Sequence, residues 1–252
     1  MSHSIAFAGK GGVGKTTAAA LCIRYLKENV DGPILAMDAD PDSNLGAVLG
    51  LTIGTSLGEL REDIQKQIKD FPAGMSKENY IEMGLQEIIV ESDKLDLITM
   101  GRGEGPGCYC MLNHLLRKFA DSLIGSYQWA VMDTEAGLEH LSRRTTTQID
   151  DLVVVVADSP LSVDCARRIK TLVDSIGKLC RNQHYILNGV PKERVESVLK
   201  RMDGIGLNYL GAIPYDPALI EALYDSKSIF DVESGPAVSA INDIMRKIGG
   251  RQ

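Results

Sequence analysis

Short runs of apolar residues recur along the chain, separated by longer stretches in which apolar positions return every three or four residues. The short runs predict strands at Ile5–Ala8, Ile34–Met37, Leu95–Met100, Trp129–Met132, Leu152–Ala157, His184–Leu187 and Tyr209–Ile213. The helical spacing predicts helices at Lys15–Glu28, Ser56–Lys69, Lys77–Val90, Met111–Leu123, Leu138–Gln148, Ser162–Leu179, Lys192–Lys200, Pro217–Tyr224 and Ala237–Ile248. Such alternation predicts an α/β fold, a mostly parallel central sheet flanked by helices on both faces. No repeat or linker interrupts the pattern, and 252 residues of this class can enclose one core, so a single domain over 1–252 is expected.

In the last helix Val238, Ile241, Ile244, Met245 and Ile248 form one stripe. With few basic residues and no large aromatic beside it, the stripe reads as core-facing rather than as a face laid on a membrane. The longest apolar run, Leu152–Ala157, is far too short to span a bilayer, and Met1–Ser4 carries no basic segment of an export signal, so a cytoplasmic protein is expected. The 27 basic and 34 acidic residues give a net charge of -7 without a dense Lys/Arg run, which argues against nucleic acid or an anionic membrane as partner. Five cysteines, an odd number, argue against a disulfide framework and leave thiols available to metal.

Gly9-Lys10-Gly11-Gly12-Val13-Gly14-Lys15-Thr16 fits G-x-x-x-x-G-K-[ST] where a predicted strand turns into a predicted helix. Glycines there let backbone N–H groups close around phosphate oxygens, Lys15 reaches the outer phosphates, and the Thr16 hydroxyl, followed by Thr17, completes a Mg²⁺ shell. Trp129–Met132 ends in Asp133, an apolar strand closing on a carboxylate, as expected of a residue that holds Mg²⁺ through water. Asp38–Leu45 sets carboxylates on a loop where open α/β sheets gather ligands, with Asp42 and Ser43 expected as turn and cap residues.

Cys108-Tyr109-Cys110 follows the glycine-rich run Gly101–Gly107. Two thiolates one residue apart fill half of a four-coordinate shell, so a twofold dimer uniting two pairs would complete a site for Zn²⁺, Ni²⁺ or an iron–sulfur cluster. His114, four residues after Cys110, stays open between an added ligand and a solvated surface residue, and His140 has no spaced partner. Cys22, Cys165 and Cys180 are expected in helices, packed as small apolar groups.

The string GKGGVGKT resembles the deviant Walker A loop of the MinD/ParA/nitrogenase-iron-protein class. Together with DADPDSNL, GPGCYC, DTEAGLEHLSRRT and VVVVADSP it makes the chain similar, across nearly its whole length, to the CooC family of carbon monoxide dehydrogenase nickel-insertion accessory ATPases. The resemblance implies a homodimer, dependent on nucleotide and metal, that binds and hydrolyses ATP with Mg²⁺. It also implies Ni²⁺ or Zn²⁺ held at the dimer interface by Cys108 and Cys110, and a nickel-enzyme client, carbon monoxide dehydrogenase or acetyl-CoA synthase. Lys10 would act across the interface on the partner's nucleotide, Lys15 and Thr16 would hold phosphate and Mg²⁺, and Asp40 would position the attacking water. Asn188 and Pro214 stand where related ATPases hold the adenine base. A competing expectation is a nitrogenase-iron-protein-like [4Fe–4S] reductase, but such proteins place a cluster cysteine after the Walker B strand and Asp133–Arg144 contains none. A positioning ATPase of the MinD/ParA type would leave the cysteine pair without a role.

Overall fold

The structure, a computed structural model, describes residues 2–67, 77–101, 119, 122–135, 148–177 and 179–249. Its strands are β1 (His3–Gly9), β2 (Ile34–Ala39), β3 (Ile89–Val90), β4 (Leu95–Thr99), β5 (Trp129–Thr134), β6 (Ile149–Val156), β7 (Cys180–Asn188) and β8 (Asn208–Ile213). They form one sheet in the order β3-β4-β2-β5-β1-β6-β7-β8, parallel except for β3, which runs antiparallel to β4. Strand order reverses around β1, so the crevice beyond its carboxyl end is where a ligand of such a sheet belongs.

Helices cover both faces, as the alternation predicts. On one face lie α1 (Lys15–Asn29), α2 (Leu45–Leu49), α7 (Pro217–Tyr224) and α8 (Pro236–Gly249), whose Leu21, Leu45, Leu219 and Ile241 pack with Phe7, Val131 and Val153 of the strands. The other face carries α3 (Leu57–Gln67), α4 (Lys77–Glu87), α5 (Pro160–Ile176) and α6 (Lys192–Met202), packed through Ile64, Leu85, Ile169 and Val198. The stripe of α8 is buried at Val238, Ile241, Ile244, Met245 and Ile248, a core face. Among the described residues no helix is long and apolar enough to cross a membrane.

Several expected boundaries move for local reasons. The helix expected to run through Val90 stops at Glu87, because Ile89 and Val90 pair with Ile98 and Leu97 at the sheet edge. The helix expected from Ser162 starts at Pro160, since Ser159 Oγ accepts the Ser162 N–H at 3.1 Å and proline suits a first turn; it ends at Ile176. Cys180 opens β7 instead of lying in a helix, though it packs in the core as expected of a small apolar group. Of the helix expected at 111–123, residues 119, 122 and 123 are described and helical and the helix runs on to 126, whereas 138–147 lie outside the described residues and Gln148 is not helical.

Opposite the crevice, at the amino edge of the sheet, His3 Nε2 and His184 Nε2 lie 2.7 and 2.8 Å from the two oxygens of Asp151. Burial pushes this carboxyl up, but the bonds and charges of the two imidazoles outweigh it and hold the group well below the usual carboxylate range. Asp151→Asn is expected to destabilise by about 2–4 kcal/mol at neutral pH, because a carboxamide cannot accept from both rings. With its folded pKa depressed, Asp151 binds fewer protons folded than unfolded in acid. Its contribution is therefore complete above about pH 4 and is lost as pH falls further. Thermal melts at neutral and acid pH check this: the deficit of the variant should shrink in acid.

Candidate active site

Because the neighbouring strands run parallel, the carboxyl ends of β1, β2, β5, β7 and β8 all open onto one edge. Gly9–Thr17, Asp40, Asp133, Asn188 and Pro214 are thereby brought together there from distant parts of the chain. Cys108, Cys110, His114 and His140 lie outside the described residues.

Gly9–Thr16 links β1 to α1. Gly14 takes φ 86°, and a Cβ on it would meet Asn188 Nδ2 at 2.3 Å, so the backbone turn and the close approach both require glycine. A Cβ on Gly11 or Gly12 meets nothing within 4 Å, which leaves an open cradle in front of the amides of the loop. The first turn of α1 contains no acidic residue and begins with Lys15 and Thr16, an arrangement that suits an anion at the positive end of the helix. Lys15 is buried, 6% exposed, while Lys10 is half-buried, and neither forms an ion pair with another described residue. Gly14→Ala should lower ATP affinity by about tenfold or more, measured by calorimetry, since alanine strains the turn and strikes Asn188.

Asp133 is fully buried near the end of β5, in register with Phe7 on β1 and Asp38 on β2. Its Oδ2 accepts the Thr16 hydroxyl at 2.5 Å, a direct link between the phosphate loop and the second acidic strand. Its Oδ1 has no hydrogen-bond partner among the described residues. Burial pushes the carboxyl up to about 7; the Thr16 bond and Lys15 pull it down, and Asp38 and Asp40 push it up again. A buried carboxylate oxygen without a donor, beside a threonine hydroxyl and an open anion cradle, fits a divalent cation brought in with phosphate. Thr16 and Asp133 would hold Mg²⁺, which would neutralise charge on the phosphates.

Thr134, next in β5, donates its hydroxyl to the Phe7 carbonyl at 2.8 Å and ties the start of the following loop to β1. Asp40 stands just past β2, its Oδ1 accepting the Asp42 N–H at 3.0 Å. Ser43 turns the chain, with φ 50° and its N–H on the Asp40 carbonyl at 3.0 Å, as expected of a turn residue. Asp38, expected with its neighbours on a loop, lies inside β2 instead, fully buried, and its Oδ1 accepts from Asp40 N–H at 3.2 Å and Oδ2 from Leu45 N–H at 2.9 Å. Burial pushes its carboxyl up to about 6 against those two bonds, which lower it, and Asp40 adds a smaller upward push. Its visible signal is a carboxylate inside an otherwise apolar strand.

Asn188 ends β7 and donates its Nδ2 to the Val13 carbonyl at 2.8 Å, so its carboxamide braces the phosphate loop. The Gly189 N–H reaches the Ile213 carbonyl at 2.9 Å, which brings Asn188 and Pro214 side by side at the edge. The carboxylate of Asp216, two residues on, caps α7 through the Leu219 N–H and accepts from Ala237 N–H at the start of α8.

A deviant phosphate loop, a buried strand-end aspartate tied to its threonine, and an acidic loop on the adjoining strand are the parts of a nucleotide-hydrolysing site. Residues 5–229 match the model of the CobQ/CobB/MinD/ParA nucleotide binding domain. The chain belongs to this family. As a P-loop ATPase of the MinD/ParA class, it binds and hydrolyses ATP. It is 41% identical over 227 residues to an uncharacterized ATP-binding protein of Methanocaldococcus jannaschii, covering 89% of this chain and 88% of that one. It is 28% identical over 254 residues to the carbon monoxide dehydrogenase accessory protein CooC of Rhodospirillum rubrum, covering 90% and 89%. The fold is that of a chain in the MinC:MinD cell division protein complex of Aquifex aeolicus, with a TM-score of 0.72 at 23% identity over 100% of this chain and 97% of that one.

Proposed function

We propose that this ATPase is a metallochaperone that carries a soft divalent ion, Ni²⁺ or Zn²⁺, as cargo on the Cys108–Cys110 pairs of a homodimer and assists maturation of a nickel enzyme, carbon monoxide dehydrogenase or acetyl-CoA synthase. The observation that carries this is the C-x-C pair set in a chain whose nucleotide loop is built for ATP, in company with the likeness to an accessory protein of carbon monoxide dehydrogenase. The other cysteines fit no ligand role. Burial raises the thiol pKa of Cys22, of Cys165 and of Cys180, the last to about 11, which keeps all three protonated.

In the hydrolytic step Lys15 holds the outer phosphates, Asp40 orients the water that attacks the γ-phosphorus, and the bond to the β-phosphate oxygen breaks to give ADP and phosphate. Lys10, half-buried and without an ion-pair partner among the described residues, reaches the nucleotide of the other protomer and offsets charge developing there. Asn188 and Pro214 border the base. Both sites are then completed across one interface, so ATP and metal must strengthen each other's binding by the same factor.

Light scattering and metal analysis of the protein with no nucleotide, ADP, ATP, Ni²⁺ and Zn²⁺ test the proposal. One ion per dimer is expected, lost in Cys108→Ser while the monomer stays folded. Protein that remains monomeric and metal-free under every condition rules it out, as do nucleotide affinities indifferent to Ni²⁺.

A further inference from the structure

Two carboxylates stand at the carboxyl end of β2, and the inner one makes every side-chain hydrogen bond it has within the described residues to the loop that follows. Asp38 is fully buried, with Thr99 of β4 and Asp133 of β5 as its register neighbours. One of its oxygens takes the N–H of Asp40 and the other the N–H of Leu45, so a single carboxylate closes the loop 39–44 at both ends. Leu45 begins α2, whose own N-cap, Asn44, supplies no side-chain cap, and Asp38 meets that need from within the sheet.

Between these two anchors the loop adopts a conformation that its residues would not choose unaided. Ser43 sits at φ 50°, a region costly for a residue with a Cβ, and Asp40 folds back to accept the Asp42 N–H and, through its carbonyl, the Ser43 N–H. Strained turns persist where surrounding contacts over-determine them. An apolar side chain at 38 would serve the packing of β2 equally well. What it could not do is accept two amide N–H groups, those of Asp40 and Leu45, from one buried point.

We propose that Asp38 is the positioning residue of this loop: its carboxylate, bonded to the N–H groups of Asp40 and Leu45, fixes the backbone from which Asp40 addresses the attacking water. This role rests on Asp40 acting on that water, as proposed for the hydrolytic step. Asp38 acts on the reaction through Asp40 alone.

The test is a double-mutant cycle in ATPase kinetics. Asp38→Asn keeps size and burial, but a carboxamide accepts through one oxygen only and turns an N–H₂ toward the second amide. The expected result is a fall in kcat of about tenfold to a hundredfold with KM for ATP within about threefold. Placed on Asp40→Ala, the same change should cost less than about threefold more, because the residue it positions is already gone. Wild-type kcat in Asp38→Asn beside an inactive Asp40→Ala overturns the positioning role alone, as does full multiplication of the two losses. Wild-type turnover in Asp40→Ala removes the hydrolytic role of Asp40 and this proposal with it. Amide exchange of the unaltered protein gives a second measurement that does not depend on the variant folding. The Leu45 N–H should exchange about a hundredfold or more slower than an unstructured amide, and unprotected exchange overturns the proposal.

Discussion

Lys10→Ala should bind ATP within about threefold of the wild-type affinity yet turn it over about a thousandfold more slowly, the scale on which a cation supplied across an interface acts in phosphoryl transfer. The two lysines of the loop differ in placement. Lys15 is 6% exposed at the first turn of α1, and its charge lowers the pKa of Asp133. Lys10 is half-buried at the outer end of the loop, with no described carboxylate to neutralise it. A cation left unpaired beside a phosphate site is suited to charge that arrives from elsewhere, and the proposed dimer brings the second nucleotide. Lys15→Ala should instead weaken ATP binding itself, by about tenfold or more. Calorimetry with a slowly hydrolysed ATP analogue, paired with a phosphate-release assay, separates the two. Equal losses of affinity in both variants would place Lys10 on its own nucleotide and end the trans assignment. A mixture of Lys10→Ala and Asp40→Ala protomers adds a sharper check: Lys10 from one and Asp40 from the other meet at one of the two sites, so part of the lost activity should return.

Legibility in the sequence followed the range of the interaction. The phosphate loop is contiguous, and its glycines, lysine and threonine stand where the motif puts them because strand, turn and helix are set within one short stretch. Each of the strands expected from apolar runs is present among the described residues; most extend past the run, while β4 stops at Thr99 and β6 at Val156, one residue short of the expected ends. Asp38, Asp133 and Asn188 remain in ladder pairing although they are polar, since the cross-strand hydrogen bonds belong to the backbone. β3 was hidden because Ile89 and Val90 continue a helical spacing, and only the edge of β4 makes them a strand. α2 was hidden because Leu45–Leu49 is too short to show a period, and its capping partner lies seven positions back inside a strand. The His3–Asp151–His184 cluster joins positions separated by 148 and 33 residues, contacts that no local pattern encodes.

Asp133→Asn should lower kcat/KM for ATP by about a hundredfold and flatten its response to Mg²⁺, the order expected when a group that holds a metal through water is lost. The two oxygens of Asp133 are not equivalent. Oδ2 is committed to the Thr16 hydroxyl at 2.5 Å, while Oδ1 is buried without a donor among the described residues. An orphaned buried acceptor costs stability unless a cation or its water meets it, so nucleotide with Mg²⁺ should stabilise the wild-type protein more than nucleotide alone. Asparagine removes the charge and presents an N–H₂ at one of the two positions. With the oxygen toward Thr16, the amide group faces the place of the cation and repels it; turned over, the bond to Thr16 is lost. Because the free protein no longer buries a carboxylate beside Asp38, Asp133→Asn should melt no lower than wild type without ligand. The gain in Tm from Mg²⁺ and ADP together should then equal the gain from ADP alone. A variant that keeps the full Mg²⁺-dependent gain would remove Asp133 from the cation site and leave its bond to Thr16 as a purely structural contact.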